Sequence, residues 1–198
     1  MILPIYTFGQ PVLRERTVPV EADSPELQRL IDDMIETMHN AEGIGLAAPQ
    51  VGRPERLFVA DFASARDDIR EAHGGALPWW AEEPVAFINP EIVEADDETA
   101  CEFEEGCLSI PGLSEYVTRP DRLRIRFLDR RFQPRELDAE DVLARVFQHE
   151  LDHLDGVLFV DRLSPLRKRL LRRRLQEMAE GYVEADYPVL PPGVMAPR

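Results

Sequence analysis

Apolar residues fall at helical spacing in two stretches of this chain and in short alternating or continuous runs between them. Leu27, Leu30, Ile31, Met34, Ile35 and Met38 keep one face of a helix apolar. Ahead of them, Ser24-Pro25-Glu26 offers a capping oxygen, a proline where no amide is needed and an acidic first turn, so a helix is predicted to about Asn40. Gly43-Ile44-Gly45-Leu46-Ala47-Ala48-Pro49-Gln50 is too rich in Gly and Pro to extend it. In the second stretch, Val142, Val146, His149 and His153 follow steps of four, three and four. An acidic turn, Asp138-Ala139-Glu140-Asp141, is predicted to open this helix, which ends near Gly156. A last helix is predicted from about Pro165 to Gly181.

Strands are predicted over Leu57–Asp61, Val85–Val93, Thr99–Leu108 and Leu123–Asp129. Leu3 to Val18 reads as an extended arm punctuated by proline. Residues 63–83, with Gly74-Gly75 and Trp79-Trp80, read as a long loop or insertion with a weak helical piece. The tail from about 182 to 198, with four prolines after Tyr187, is expected to be irregular. Strands first and a functional helix later imply an α+β fold, with mostly antiparallel sheets around that helix and a C-terminal helix beyond it. A chain of 198 residues buries one substantial core, so one domain over 1–198 is expected.

No apolar run approaches the ~18 residues of a membrane span, and Met1–Tyr6 lacks the basic and apolar regions of a signal peptide. A cytoplasmic enzyme is the expectation. Two cysteines, Cys101 and Cys107, are too few for a secreted disulfide scaffold. The net charge of -15 argues against general nucleic-acid binding by the body of the protein. Acidity, with Lys168 the only lysine, fits equally a salt-rich cytoplasm or a GC-rich genome.

Candidate chemistry centres on Gln148-His149-Glu150-Leu151-Asp152-His153, an H-E-x-x-H pattern. On a helix its two imidazoles share a face and can hold one divalent metal, and the glutamate between them can move protons for a bound water. A catalytic metal needs a third protein ligand and an open position. Downstream carboxylates such as Asp155, Asp161 and Glu177 sit in no convincing motif. Upstream, Glu105-Gly106-Cys107-Leu108-Ser109 ends a predicted strand and offers a thiolate, a strong ligand, beside a glycine that permits close backbone approach.

These three motifs, in this order and spacing, resemble those of peptide deformylases. Pro11-Val12-Leu13-Arg14 and Leu158-Phe159-Val160-Asp161-Arg162-Leu163 add to a resemblance that covers roughly residues 3 to 175. It implies Cys107, His149 and His153 as metal ligands and Glu150 as general acid/base. It implies Gln50 and the Leu108 N–H as oxyanion donors, and Gly45 as the residue whose backbone meets the substrate. The implied metal is Fe²⁺, often replaced by zinc or nickel; the ligand types also accept Co²⁺. The implied reaction removes the N-formyl group of the initiator methionine from nascent peptides, releasing formate. Its nucleophile is metal-bound hydroxide, since the metal lowers the pKa of bound water to ~7. None of the three motifs departs from the family pattern, as expected for an active enzyme.

Ile44, Val142, Val146 and Leu108 are candidates for the wall of a methionine pocket. Trp79 and Trp80 fit either a roof over that pocket or packing of the insertion onto the body. Glu105 is expected to pair with Arg119 below the site. Residues 162–174 carry seven basic residues and no acidic one. In the family a C-terminal helix is thought to dock at the ribosomal exit tunnel; a basic helix suits RNA, and equally suits the protein's own acidic surface. Rival readings are a general metallopeptidase, which takes a carboxylate or His as third ligand, and a non-catalytic binder of formylated chains.

Overall fold

The computed structural model describes residues 1–194. The N-terminal arm carries strand β1 (Ile5–Tyr6) and leads to helix α1 (Pro25–Asn40). The Leu27 amide donates to Ser24 Oγ at 3.1 Å, the cap that the sequence implies. Strands β2 (Gly45–Ala47), β3 (Leu57–Ala60) and β4 (Val85–Ala95) follow, with helices α2 (Arg66–Ala72) and α3 (Trp79–Glu82) between β3 and β4. Then come the hairpin β5 (Cys101–Gly106) and β6 (Ser114–Arg119), strands β7 (Arg122–Leu128) and β8 (Pro134–Glu140), helices α4 (Asp141–Leu154) and α5 (Pro165–Ala179), and strand β9 (Val189–Leu190).

The main sheet has the order β2-β3-β4-β7-β8 and is antiparallel throughout. On one face, α1 packs Ile31, Met34 and Met38 against Leu46, Leu57, Val59 and Ile88. On the other, α4 buries Phe147 among Phe58, Phe87 and Phe127. Phe87 lies 4.5 Å from Phe58 and 4.9 Å from Phe147 between ring centroids, so an aromatic stack fixes α4 on the sheet. All four residues of β3 are buried because both faces are covered. A third cluster, with Ile110, Leu113 and Val117, joins the β5–β6 hairpin to residues 158–163 and to Met178. The antiparallel α+β architecture is thus as expected, with the H-E-x-x-H helix at its centre.

Several local expectations are corrected. Asp138, Ala139 and Glu140 do not open α4; they belong to β8, which pairs with β7 from Arg122↔Glu140 to Leu128↔Pro134. Burying Ala139 on the sheet, with Asp138 accepting from Arg124 Nε at 2.6 Å, outweighs the local preference for an acidic helix start. The helix begins at Asp141, in the left-handed region with φ 51°. Strands β2, β6 and β8 are additions: β6 turns Glu115 and Arg119 inward beside Val117, which hides its alternation. The insertion forms α2 and α3. Trp80 packs edge-on to Phe62 at 5.5 Å, and Trp79 stacks on Phe127 and beneath Arg135, so both tryptophans hold the insertion to the sheet.

The tail is not wholly irregular, since β9 pairs in parallel with β1; residues 195–198 of that expected tail lie outside the described residues. Among the described residues no helix is long and apolar enough to cross a membrane.

Candidate metal centre and active site

Two elements meet to form the site. Strand β5 ends by delivering Cys107, and α4 presents His149, Glu150 and His153. The ligand atoms of Cys107, His149 and His153 all lie within 4.8 Å of one another, and Cys107 Sγ is 3.2 Å from His153 Nε2. This convergence comes from residues far apart in sequence, and the described residues contain no other such group.

Glu105 orients the first histidine. One of its carboxylate oxygens lies 2.9 Å from His149 Nδ1, which leaves Nε2 for the cluster. The same carboxylate accepts from Arg119 Nε at 2.6 Å, Arg119 Nη2 at 2.8 Å and Arg145 Nη1 at 2.8 Å. Arg119 reaches on to Asp152 at 2.6 Å, and Asp152 also accepts from Arg162 Nε at 2.6 Å. The expected Glu105–Arg119 pair is therefore present, with its side chains 3% and 1% exposed, inside a larger network. Burial opposes ionisation of Glu105, but Arg119 and His149 hold its carboxyl far below the usual carboxylate range.

Burial also opposes a charged His149, yet the Cys107 sulfur and Glu105 raise its pKa to about 10. Burial and the His149 charge push His153 well down, so its imidazole is neutral. Burial, against the lowering pull of the His149 charge, raises Glu150 to about 7. Two buried polar atoms in this centre, Glu150 Oε2 and His153 Nδ1, have no hydrogen-bond partner.

Gln50 is buried, not a surface residue after a turn. The Ala47 amide donates to Gln50 Oε1 at 2.8 Å, which turns Gln50 Nε2 toward Ser109 Oγ at 3.2 Å and Cys107 Sγ at 3.7 Å. Gly43 and Gly45 have steric reasons to be glycine. A Cβ on Gly43 would sit 2.8 Å from Leu108 Cδ1, and one on Gly45 would sit 2.4 Å from Glu150 Oε1. Gly106 has no such crowding, since its Cβ would meet nothing closer than Leu113 O at 4.0 Å. The close approach expected there is therefore not made by another part of this chain.

A cavity of about 490 Å³ opens over the centre, a size suited to a small-molecule or side-chain ligand. Ile44, Gly45, Leu108, Val142 and Val146 all line it, as the sequence suggests, with Gln50 and Glu150; Trp79 and Trp80 do not. Sequence reasoning missed Arg145, Ser109, Asp152 and Tyr187. Arg145 lies one turn before His149 on the same helical face, a detectable spacing, but an arginine there reads as solvent-facing. Tyr187 reaches the cavity only because the tail returns across the molecule, which no local pattern announces.

The sequence pattern of the family described as polypeptide deformylase matches residues 2–169. The chain belongs to the peptide deformylase family. Members remove the N-formyl group from the initiator methionine of nascent peptides, and this chain is accordingly a metal-dependent hydrolase. A peptide deformylase of Salinibacter ruber is 61% identical over 96% of this chain and 95% of its own length. That of Christiangramia forsetii is 42% identical over 94% of each. Among solved structures, the deformylase of Thermus thermophilus superposes with a TM-score of 0.76 at 42% identity, covering 91% of this chain and 99% of its own. That of Legionella pneumophila gives 0.77 at 39% identity, covering 91% and 96%.

Proposed function

We propose that Cys107, His149 and His153 hold one divalent metal, and that Glu150, Gln50 and the Leu108 N–H carry out deformylation around it. The convergence of a thiol and two imidazoles within 4.8 Å, beside a fully buried carboxyl with an unpartnered oxygen, carries this reading. The donor set fits a borderline-soft cation with one position left for substrate. Glu105 takes His149 Nδ1 and leaves Nε2 facing the thiol, so this imidazole would give up its Nε2 proton on binding metal, while His153 is already neutral. We take Fe²⁺ as the physiological metal, with Zn²⁺, Ni²⁺ or Co²⁺ able to replace it. Once bound, the cation would polarise the formyl oxygen and acidify a water to a pKa of ~7.

The rest of the work falls to side chains and backbone. The methionine side chain occupies the apolar wall of Ile44, Leu108, Val142 and Val146, and the backbone at Gly45 lies along the peptide. Glu150, poised near neutrality, takes a proton from the attacking water and returns it to the amine nitrogen as the C–N bond breaks. Water oxygen thus bonds to the formyl carbon, formate departs, and the methionine amine is left free. The Gln50 amide and the Leu108 N–H donate to the oxygen that gains charge, each worth about 3 kcal/mol in the transition state. Formate release from formyl-Met-Ala-Ser, with its internal peptide bonds left intact, tests this assignment; cleavage of an internal bond would favour the metallopeptidase reading.

We further infer that α5 is the contact to the ribosome, in the cytoplasm. Arg162 and Arg167 are tied to Asp152 and Glu115, whereas Arg169, Arg172 and Arg174 form no ion pair among the described residues. With Lys168, whose ammonium donates to a backbone carbonyl, they make four cations without a carboxylate partner among the described residues on one helix of an acidic protein, which suits a phosphate backbone. Cosedimentation with ribosomes is expected to weaken with salt and with Arg169→Glu/Arg172→Glu; binding unaffected by both would refute it.

A further inference from the structure

We propose that Tyr187 is a positioning residue of the active site: its hydroxyl fixes the peptide that follows the Leu108 oxyanion donor, and its ring closes one wall of the cavity. This rests on the proposed role of the Leu108 N–H. The Tyr187 hydroxyl donates to Leu108 O at 2.9 Å, and the side chain lines the cavity and packs with Leu108 against the core under α1. Tyr187 lies well beyond residue 169, where the family pattern ends, so nothing in the matched region supplies this contact.

The segment bearing it is anchored on both sides. After α5, Gly181 turns the chain at φ 95°, and Val183 packs on the third cluster. Beyond Tyr187, β9 pairs with β1, the Ile5 amide donates to Pro188 O at 2.9 Å, and Gln10 Nε2 donates to Leu190 O and Pro191 O. The next carbonyl of the same loop, Ser109 O, accepts from the Phe8 amide at 2.8 Å. Two successive carbonyls behind Cys107 are therefore held from outside the three motifs, one by the N-terminal arm and one by the tail. The Ile110 amide donates to Cys107 O at 2.8 Å, in the same peptide as the Leu108 N–H, and the tyrosine holds the carbonyl of the next peptide, so the turn that carries this N–H is fixed on both sides. The N–H is thus aimed before substrate arrives, and preorganised donors lose no energy to reorientation during the reaction.

A donor that acts only on the developing oxyanion changes kcat and kcat/KM together and leaves KM unchanged. Tyr187→Phe keeps the ring and removes the hydroxyl. We expect kcat on formyl-Met-Ala-Ser to fall ~10-fold, with KM within about twofold of wild type and with bound metal and thermal midpoint unchanged. Tyr187→Leu, which also opens the wall, is expected to raise KM as well. A Tyr187→Phe enzyme with wild-type kcat would overturn the proposal. So would a loss that follows reduced metal content or a lowered thermal midpoint, since the tyrosine would then only hold the fold. A wild-type protein that releases no formate at all would instead remove the reading of the site on which this rests.

Discussion

Glu150→Gln is expected to lower turnover at least ~100-fold while making the metal-free protein more stable at alkaline pH. The glutamine keeps the volume and one acceptor but cannot shuttle a proton. The stability gain follows from burial. Burial raises the folded-state pKa of Glu150 from its ordinary 4.5 to about 7, so the folded protein holds this proton more tightly than the unfolded chain does. Its contribution to stability is therefore full below the ordinary pKa, declines as pH rises toward 7, and stays lost above it. The loss amounts to at most about 3 kcal/mol, and the amide, which does not ionise, avoids it. Urea unfolding in the presence of a chelator at pH 5 and pH 8.5 measures the difference. A variant whose stability relative to wild type is the same at both values would show that Glu150 is not held in a desolvated place. Such a cost, kept at the residue proposed to move the proton, is a common trade between stability and activity.

Arg119→Ala is expected to destabilise the fold by about 3–5 kcal/mol. Arg119 is the fully buried guanidinium that joins Glu105, on the hairpin, to Asp152, on α4. Removing it leaves Glu105 with Arg145 and His149, and Asp152 with the half-exposed Arg162, so each largely buried carboxylate loses a charged partner. Lysine is not expected to restore stability, because one ammonium cannot chelate Glu105 through two nitrogens and reach Asp152 with a third. The depressed pKa of Glu105 gives the sign of the pH effect. Its contribution is present above the ordinary carboxyl pKa and is lost as pH falls through its low folded value, so the variant should unfold at a higher pH on acid titration than wild type. Since Glu105 also holds His149, metal affinity should fall about 10–100-fold. An unchanged urea midpoint together with unchanged metal affinity would refute both roles.

The parts of the fold legible in the sequence were those set by local spacing. The stripe from Leu27 to Met38 and the cap at Ser24 define α1, and the histidine spacing places both imidazoles on one face of α4. What escaped were features set by distant partners. β8 looks like a helix start because its acidic residues are read one at a time, but it exists to pair with β7 and bury Ala139. β6 hides its alternation because two inward residues, Glu115 and Arg119, are charged and neutralised by groups remote in sequence. The candidate site followed the same division. Cys107, His149, Glu150, His153 and Gln50 carry their chemistry in short motifs. Ser109, Arg145 and Asp152 are ordinary polar residues until the fold places them against Gln50 and Glu105, or against Arg119. Tyr187 has no motif at all, and its place depends on two-residue pairing between the ends of the chain.

On the proposed reading, one metal held by Cys107, His149 and His153 turns this cavity into a deformylase. The most direct test is formate release from formyl-Met-Ala-Ser during anaerobic titration of metal-free protein with ferrous iron, alongside Cys107→Ala. The rate should rise linearly and break at one equivalent per chain, with no such break in the variant. Full activity of the variant at one equivalent, or no formate from iron-loaded wild type, would show that this centre does not carry the activity.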